Sequence, residues 1–301
     1  MVGAPEGSRG AVSRIVVFGA GGMLGHDLRA ALRGRDAEFV TRADADITDP
    51  HAVGAILQPG DIVINAAAYT RVDDAETHER EATAVNGTAA GVIAEQVARL
   101  SGRMVQLSTD YVFSGDATSP YPENAPLHPL NAYGRSKAVG ERVVHAALPE
   151  SSWIVRTAWT YGVGGPNFPT TMLRLAASHP TVSVVDDQLG QPTATADLAG
   201  RILELIDIDA PAGIYHATNS GQTSWFGFAQ AVFELNGLNP DRVLPTDSGS
   251  FVRPAPRPSY SVLGHDGWSA AGLAPMRDWR EALADAVETG VFASATSGDV
   301  R

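Results

Sequence analysis

Residues 14–25 read Arg14-Ile15-Val16-Val17-Phe18-Gly19-Ala20-Gly21-Gly22-Met23-Leu24-Gly25. The apolar, β-branched run at 14–18 has the make-up of a buried strand, and a helical pattern follows the glycines to about Arg33. Strand, glycine loop and helix in that order let backbone N–H groups approach a pyrophosphate at the helix N-terminus. The strict G-x-G-x-x-G spacing fails, because Leu24 stands where its third glycine would fall; G-x-x-G-x-x-G fits, with Gly19, Gly22 and Gly25.

Outward from this loop the same alternation continues. Strands are expected at 38–41, 61–64, 103–107 and 153–156. Helical patterns lie between them: one opening at Asp49-Pro50, one over 75–100 and one over 132–147. A further helix at 195–206 and a strand at 213–217 return late in the chain. Strands alternating with helices predict right-handed βαβ units, an α/β fold with a Rossmann-type doubly wound parallel sheet. The expected division is a dinucleotide-binding domain at 12–162, rejoined by 193–218. A smaller α+β substrate domain takes 163–192 and 219–292, and 1–11 and 293–301 are flexible tails. The segment 251–258, with Pro254, Pro256 and Pro258, reads as a loop.

Composition narrows the function. The net charge is −12 over 301 residues, which argues against a nucleic-acid partner. There is no cysteine, hence no disulfide, thiolate metal site or cysteine nucleophile. No apolar run reaches the length of a membrane span and no signal peptide is visible, so a cytoplasmic protein without membrane attachment is expected. Of 22 basic residues one is lysine, Lys137, which marks a position where arginine does not substitute.

That lysine closes Tyr133-Gly-Arg-Ser-Lys137 at the head of a helical pattern. Residues four apart share a helix face. An ammonium beside a phenol favours the phenolate and tunes the tyrosine for proton exchange near neutral pH. The lysine can also donate to the ribose of a dinucleotide. Ser108-Thr109-Asp110 closes the fourth strand, where parallel sheets bind ligands. Thr109 is placed to polarise a substrate carbonyl, Asp110 to accept from a substrate hydroxyl, and Ser108 to cap or pack. The second strand ends Val40-Thr41-Arg42 without an acid. Arginine there suits a 2′-phosphate, hence NADPH, with NADH as the alternative. Asp46-Ile47 is expected to flank the adenine.

These blocks, with Asn65-Ala66-Ala67-Ala68-Tyr69-Thr70-Arg71-Val72-Asp73, Ser108-Thr109-Asp110-Tyr111-Val112-Phe113 and Arg156-Thr157-Ala158-Trp159, resemble the extended short-chain dehydrogenase/reductases. Within them the chain resembles the dTDP-4-dehydrorhamnose reductase family. Val185-Asp186-Asp187-Gln188-Leu189-Gly190-Gln191-Pro192-Thr193, Ser224-Trp225-Phe226 and Arg257-Pro258-Ser259-Tyr260-Ser261 extend the likeness over about residues 14–283. The resemblance implies hydride transfer from NADPH to the C4 ketone of dTDP-4-dehydro-β-L-rhamnose. Tyr133 would be the proton donor, Lys137 its partner, and Thr109 the stabiliser of the developing charge. Gly19, Gly22, Met23 and Leu24 would hold the pyrophosphate, Arg42, Asp46 and Ile47 the adenosine end. Ala66, Ala67, Ala68 and Tyr69 would lie beside the nicotinamide ribose, with Tyr133 and Lys137. The dTDP-sugar would meet Thr70, Thr109, Asp110, Tyr133, Trp159 and Arg257. Some relatives dimerise around Mg²⁺ through acids near the glycine helix, where Asp27 lies, but no ligand set can be assigned and no metal residue is carried over. A monomer or homodimer is expected. Two other functions fit the same motifs: a sugar-nucleotide epimerase or dehydratase of this fold, and a non-catalytic NADP-binding regulatory subunit.

Other polar residues read as structural. His26, His51 and His216 lack metal-ligand spacing. Asp186 and Asp187 are expected to cap or hold a loop, and Asp73-Asp74-Ala75-Glu76 to be a solvated helix start. Trp225, Phe226 and Phe228 are expected in the core of the C-terminal part. Arg253 stands beside Arg257 as a second candidate contact for a substrate pyrophosphate.

Overall fold

The computed structural model describes residues 13–293, so the expected tails lie, Ala293 apart, outside the described residues. Five strands arise as the alternation predicts: β1 (Ile15–Phe18), β2 (Ala37–Val40), β3 (Ile62–Asn65), β4 (Arg103–Thr109) and β5 (Ser152–Thr157). A late strand, Gly213–His216, joins them. The order across the sheet is Gly213–His216, β5, β4, β3, β1, β2, and every pairing is parallel. The chain leaves β1 toward one edge and returns at β3 on the other side. This reversal is the switch point at which such sheets open a crevice at their carboxyl ends.

Alternate residues of each strand feed two apolar layers. Ile15, Val17, Ile64, Val105 and Val155 pack with Leu198, Ile202 and Leu205 on one face. Val16, Phe18, Val63 and Met104 pack with Ile93 and Val97 on the other. A separate apolar cluster gathers Tyr161, Phe228, Phe233, Trp279 and Leu283 from the later part of the chain. Asp49 caps its helix through His51 N–H at 2.8 Å, with Pro50 in the first turn. The helix Ala132–Ala147 has the bounds its sequence predicts.

One expectation is corrected. The apolar pattern over 75–100 is not one helix but two short ones, Val72–Ala75 and Glu79–Thr83, a π-helical turn at Ala84–Thr88, and the helix Ala89–Arg99. The π turn brings Asn86 inward, 1% exposed, and sets Gly87 against the helix Ala132–Ala147, where a Cβ would lie 2.8 Å from Val139. Tertiary packing thus overrides the periodic pattern locally. Among the described residues no helix is long and apolar enough to cross a membrane.

Candidate active site

The crevice begins where the loops after β1 and β3 touch. Gly19 has φ +82°, and a Cβ there would stand 2.4 Å from the Ala67 nitrogen. A Cβ on Gly25 would meet the Gly19 carbonyl oxygen at 2.6 Å. Only glycine allows this approach. Gly22 precedes the helix Met23–Ala31, and no side chain caps it. Its first N–H groups therefore face the crevice as unmet donors, a fit for a dinucleotide pyrophosphate. Met23 packs against Gly165 and lies 3.9 Å from Asn167 Nδ2, while Leu24 supports the sheet layer.

Ala66, Ala67, Ala68 and Tyr69 form the facing wall, with Thr70 exposed at its end. Asn86 clamps this wall: its Oδ1 accepts the Tyr69 N–H at 2.8 Å, and its Nδ2 donates to the Tyr69 carbonyl at 3.0 Å and to Ser136 Oγ at 2.9 Å. Ser136 in turn donates to the Tyr133 carbonyl at 2.7 Å. Asn86, inconspicuous in the sequence, links the cofactor wall to the Tyr133 helix.

At the far end, beyond β2, Arg42 is exposed and makes no hydrogen bond or ion pair among the described residues. Asp46 accepts from the Thr48 N–H and hydroxyl at 2.9 and 2.8 Å, which holds its carboxyl below the usual range. Ile47 packs on the sheet layer. The apparent lack of an acid here needs correction. Asp44 folds back to accept the Thr41 N–H at 2.8 Å and the Thr41 hydroxyl at 2.7 Å, which places a carboxylate at the tip of β2.

The chemistry-bearing groups meet at the end of β4. Asn131 caps the helix Ala132–Ala147 through Gly134 N–H at 2.8 Å, and Glu76 takes the Ala132 N–H at 2.7 Å. Gly134 packs so closely on the Tyr111 carbonyl that a Cβ would lie 2.1 Å from it. This seats Tyr133 against Thr109, Asp110 and Tyr111, its ring edge-on to Tyr111 at 6.0 Å. Thr109 donates to Asp110 Oδ1 at 2.8 Å, whereas Asp110 Oδ2 is buried without a partner. Desolvation raises the Asp110 carboxyl to about 6, against the pull of the Ser261 and Thr109 hydroxyls.

Lys137 is 3% exposed and donates from Nζ to the Leu107 carbonyl at 2.5 Å. Burial lowers it to about 8, against the pull of Glu141. Burial likewise pushes Tyr133 up to about 12, helped by the Asp110 charge and opposed by Thr109. The expected lowering of the Tyr133 phenol by Lys137 is therefore corrected. Desolvation and the Asp110 charge raise it instead, and the phenol keeps its proton at neutral pH, the state a proton donor requires.

The opposite wall is aromatic. Trp159 has φ +46° and stacks on Trp225 at 3.6 Å and 8°. A Cβ on Gly190 would run into its indole at 2.4 Å. Trp225 also packs with the Phe168 and Phe228 cluster, so it is both core and support for Trp159. Asp73, expected to be solvated, pairs with Arg257 at 3.0 Å and Arg253 at 3.3 Å. Arg257 Nη1 is buried without a partner. Asp74 takes the Tyr69 hydroxyl at 2.7 Å, and with Glu76 capping the Tyr133 helix the acidic run is tied down throughout. Asp186 accepts from Ser224 at 2.5 Å and Asp187 from Ser248 at 2.7 Å, loop-holding roles as expected.

The acids near the glycine helix are engaged by neighbouring side chains. Asp27 accepts the Thr195 hydroxyl at 2.5 Å and faces His26 at 3.3 Å. Asp197 and Asp285 share the Arg277 guanidinium, at 2.8 Å each. Among the described residues no three acidic or histidine side chains converge on a point.

A parallel sheet with a glycine loop at its switch point, and a tyrosine and lysine one turn apart beside the end of β4, define a short-chain dehydrogenase/reductase. A family model described as the RmlD substrate binding domain matches residues 13–291, and the chain belongs to that family. It is 48% identical over 299 residues to a dTDP-4-dehydrorhamnose reductase of Mycobacterium tuberculosis, covering 97% of each. It is 49% identical over 280 residues to a probable dTDP-4,6-dihydroxy-2-methyloxan-3-one 4-ketoreductase of Streptomyces antibioticus, covering 91% of this chain and 94% of that protein. Among solved structures, a dTDP-4-dehydrorhamnose reductase from Bacillus anthracis in complex with NADP superposes with a TM-score of 0.89 at 36% identity, over 93% of this chain and 100% of that one.

Proposed function

We propose that this chain reduces the C4 ketone of dTDP-4-dehydro-β-L-rhamnose to dTDP-L-rhamnose, the last step of dTDP-rhamnose synthesis, with NADPH as reductant and NADH as a weaker alternative. The observation that carries this reading is the Tyr133 ring seated against Tyr111, Thr109 and Asp110 at the end of β4, one helical turn from the sole lysine. The named activity of the Mycobacterium tuberculosis relative and the NADP in the Bacillus anthracis structure support it.

Bound in the crevice, NADPH supplies the hydride. Gly19, Gly22, Met23 and Leu24 hold its pyrophosphate, Arg42, Asp46 and Ile47 its adenosine end, and Ala66–Tyr69 its nicotinamide ribose. Tyr133 gives its proton to the substrate oxygen as the ketone becomes an alcohol. Thr109 turns its hydroxyl from Asp110 to that oxygen, where charge develops. Asp110, with one oxygen unpartnered, takes a sugar hydroxyl. Lys137 donates to the ribose and sustains the proton exchange. Trp159 and Thr70 flank the sugar, and Arg257 releases Asp73 for the substrate pyrophosphate. Residues 12–162 with 193–218 act as the cofactor unit, residues 163–192 and 219–292 as the substrate unit, in the cytoplasm.

The Streptomyces antibioticus relative favours one second reading, a 4-ketoreductase for another dTDP-4-keto-6-deoxysugar. A coupled assay decides. The ketosugar is made in place from dTDP-glucose by the upstream dehydratase and epimerase, and nicotinamide absorbance is followed. Consumption of NADPH only after the epimerase is added supports the rhamnose reading, whereas consumption before it supports the second. Purified protein that carries stoichiometric nicotinamide and turns over without added cofactor would be an epimerase or dehydratase. No turnover, with a stoichiometric partner enzyme recovered, would make it a regulatory subunit.

A further inference from the structure

Behind Lys137 lies a buried ionic network that the proposed chemistry does not use directly. Glu141, one turn beyond Lys137 on the same helix, is 3% exposed. The Ser108 hydroxyl of β4 donates to Glu141 Oε1 at 2.5 Å. Arg156 of β5, 1% exposed, grips both Glu141 oxygens, at 2.9 and 2.7 Å. Arg156 also donates to the Glu123 carbonyl at 2.9 Å and meets His216 Nε2, from the strand Gly213–His216, at 3.1 Å. Burial keeps His216 neutral, lowered to about 3. Asp110 follows just past the end of β4, next to Thr109.

Two neighbouring residues of β4 therefore hold the helix: the Leu107 carbonyl accepts from Lys137 Nζ and the Ser108 hydroxyl donates to Glu141. The next residue of that strand is Thr109. Any slip of Glu141 would change how Tyr133 faces Thr109. A buried ammonium also needs a nearby negative charge to stay ionised in an apolar setting. Glu141 shares a helix face with Lys137 one turn away, and its carboxylate, held by Arg156 and Ser108, acts on that ammonium through space rather than through an ion pair.

We propose that Glu141 is a positioning residue: it keeps the Lys137 ammonium charged and locks the Tyr133–Lys137 helix in register with Thr109. The role in turnover rests on the reductase reading, but the charge relation does not. Because Lys137 is the only lysine, lysine labelled with ¹³C at Cε gives a single resonance whose titration reports its protonation directly.

In E141Q that titration moves to lower pH by about one unit, and the alkaline limb of kcat moves with it, so turnover near pH 8 falls about fivefold while turnover near pH 6 changes little. E141D restores the charge and returns both toward the native position. If E141Q fails to fold because Arg156 is left unpaired, E141Q/R156M is compared with R156M, so that the lost Arg156 charge cancels, and its Lys137 titration lies below that of R156M. An unmoved Lys137 titration in a folded E141Q would overturn the inference. So would a moved titration with an unmoved alkaline limb. Absence of turnover in the wild type defeats the reductase reading instead, and the resonance still reports on the Glu141–Lys137 pair.

Discussion

The two ends of the cleft are built on opposite principles. At the end of β4, Lys137, Asp110 and Glu141 are buried and Tyr133 is half-buried, with Lys137 held by the Leu107 carbonyl and Glu141 by Ser108 and Arg156. Beyond β2, Arg42 and Asp46 are exposed, and Asp44 and Asp46 bond only to their own loop. Burial at the first end shifts protonation by desolvation: Tyr133 rises to about 12 and Asp110 to about 6, while Lys137 falls to about 8. At the second end solvent screens every charge. Chemistry that depends on a particular protonation state is placed where the fold controls it. The choice between two similar cofactors sits where a surface substitution can change it at little structural cost.

The largest expected effect tests the buried end. Tyr133→Phe should lower kcat by about a thousandfold or more while the NADPH Kd stays within about threefold. A kcat within tenfold of the wild type would remove the distinction between the two ends. Gly19→Ala should follow, at the point where both ends join. Its φ of +82° and a Cβ 2.4 Å from the Ala67 backbone predict a loss of about 2–4 kcal/mol in stability and loss of NADPH binding. Thermal melts and a nicotinamide fluorescence titration read both.

Asp110→Asn sharpens the comparison through pH. The folded carboxyl, raised to about 6, binds its proton more readily than the unfolded one at 3.8. Ionised Asp110 therefore costs stability fully above about pH 6, and the cost fades as pH falls toward 4. Asparagine has no such cost, so the variant should be more stable by about 3 kcal/mol near pH 7.5, a gap that closes only below about pH 3.5 in urea melts, with lower activity. A gap independent of pH would mean that desolvation is not the cause.

The smallest effects belong to the exposed end. Arg42→Ala should raise the KM for NADPH about tenfold and leave that for NADH unchanged, and Asp44→Ala should lower the KM for NADPH about twofold to threefold. Initial-rate kinetics with both cofactors measure this. Equal changes for both would place the 2′-phosphate elsewhere.

Much of the scaffold was legible. The helical pattern over 132–147 marked the helix Ala132–Ala147 at its true bounds, and Asp49-Pro50 marked another start. The break near Asn86 was not, because the apolar pattern of 75–100 runs on while the bonds that justify a π turn come from Tyr69 and Ser136, 17 and 50 residues away. The acidic run at Asp73 does open a helix, Val72–Ala75, but its carboxylates are engaged rather than solvated, for a related reason. Helix-dipole reasoning is local, whereas Arg257 and the Ala132 N–H arrive from distant loops.

Sequence alone determined the parallel sheet, the glycine loop and the Tyr133–Lys137 pair, since strand period, steric freedom at glycine and the helical turn are properties of neighbouring residues. Tertiary structure decided which of these groups carry protons, which anion serves Lys137, and what Trp159 leans on. Desolvation and ion pairing depend on side chains brought together from strands far apart in the chain, and no local pattern records them.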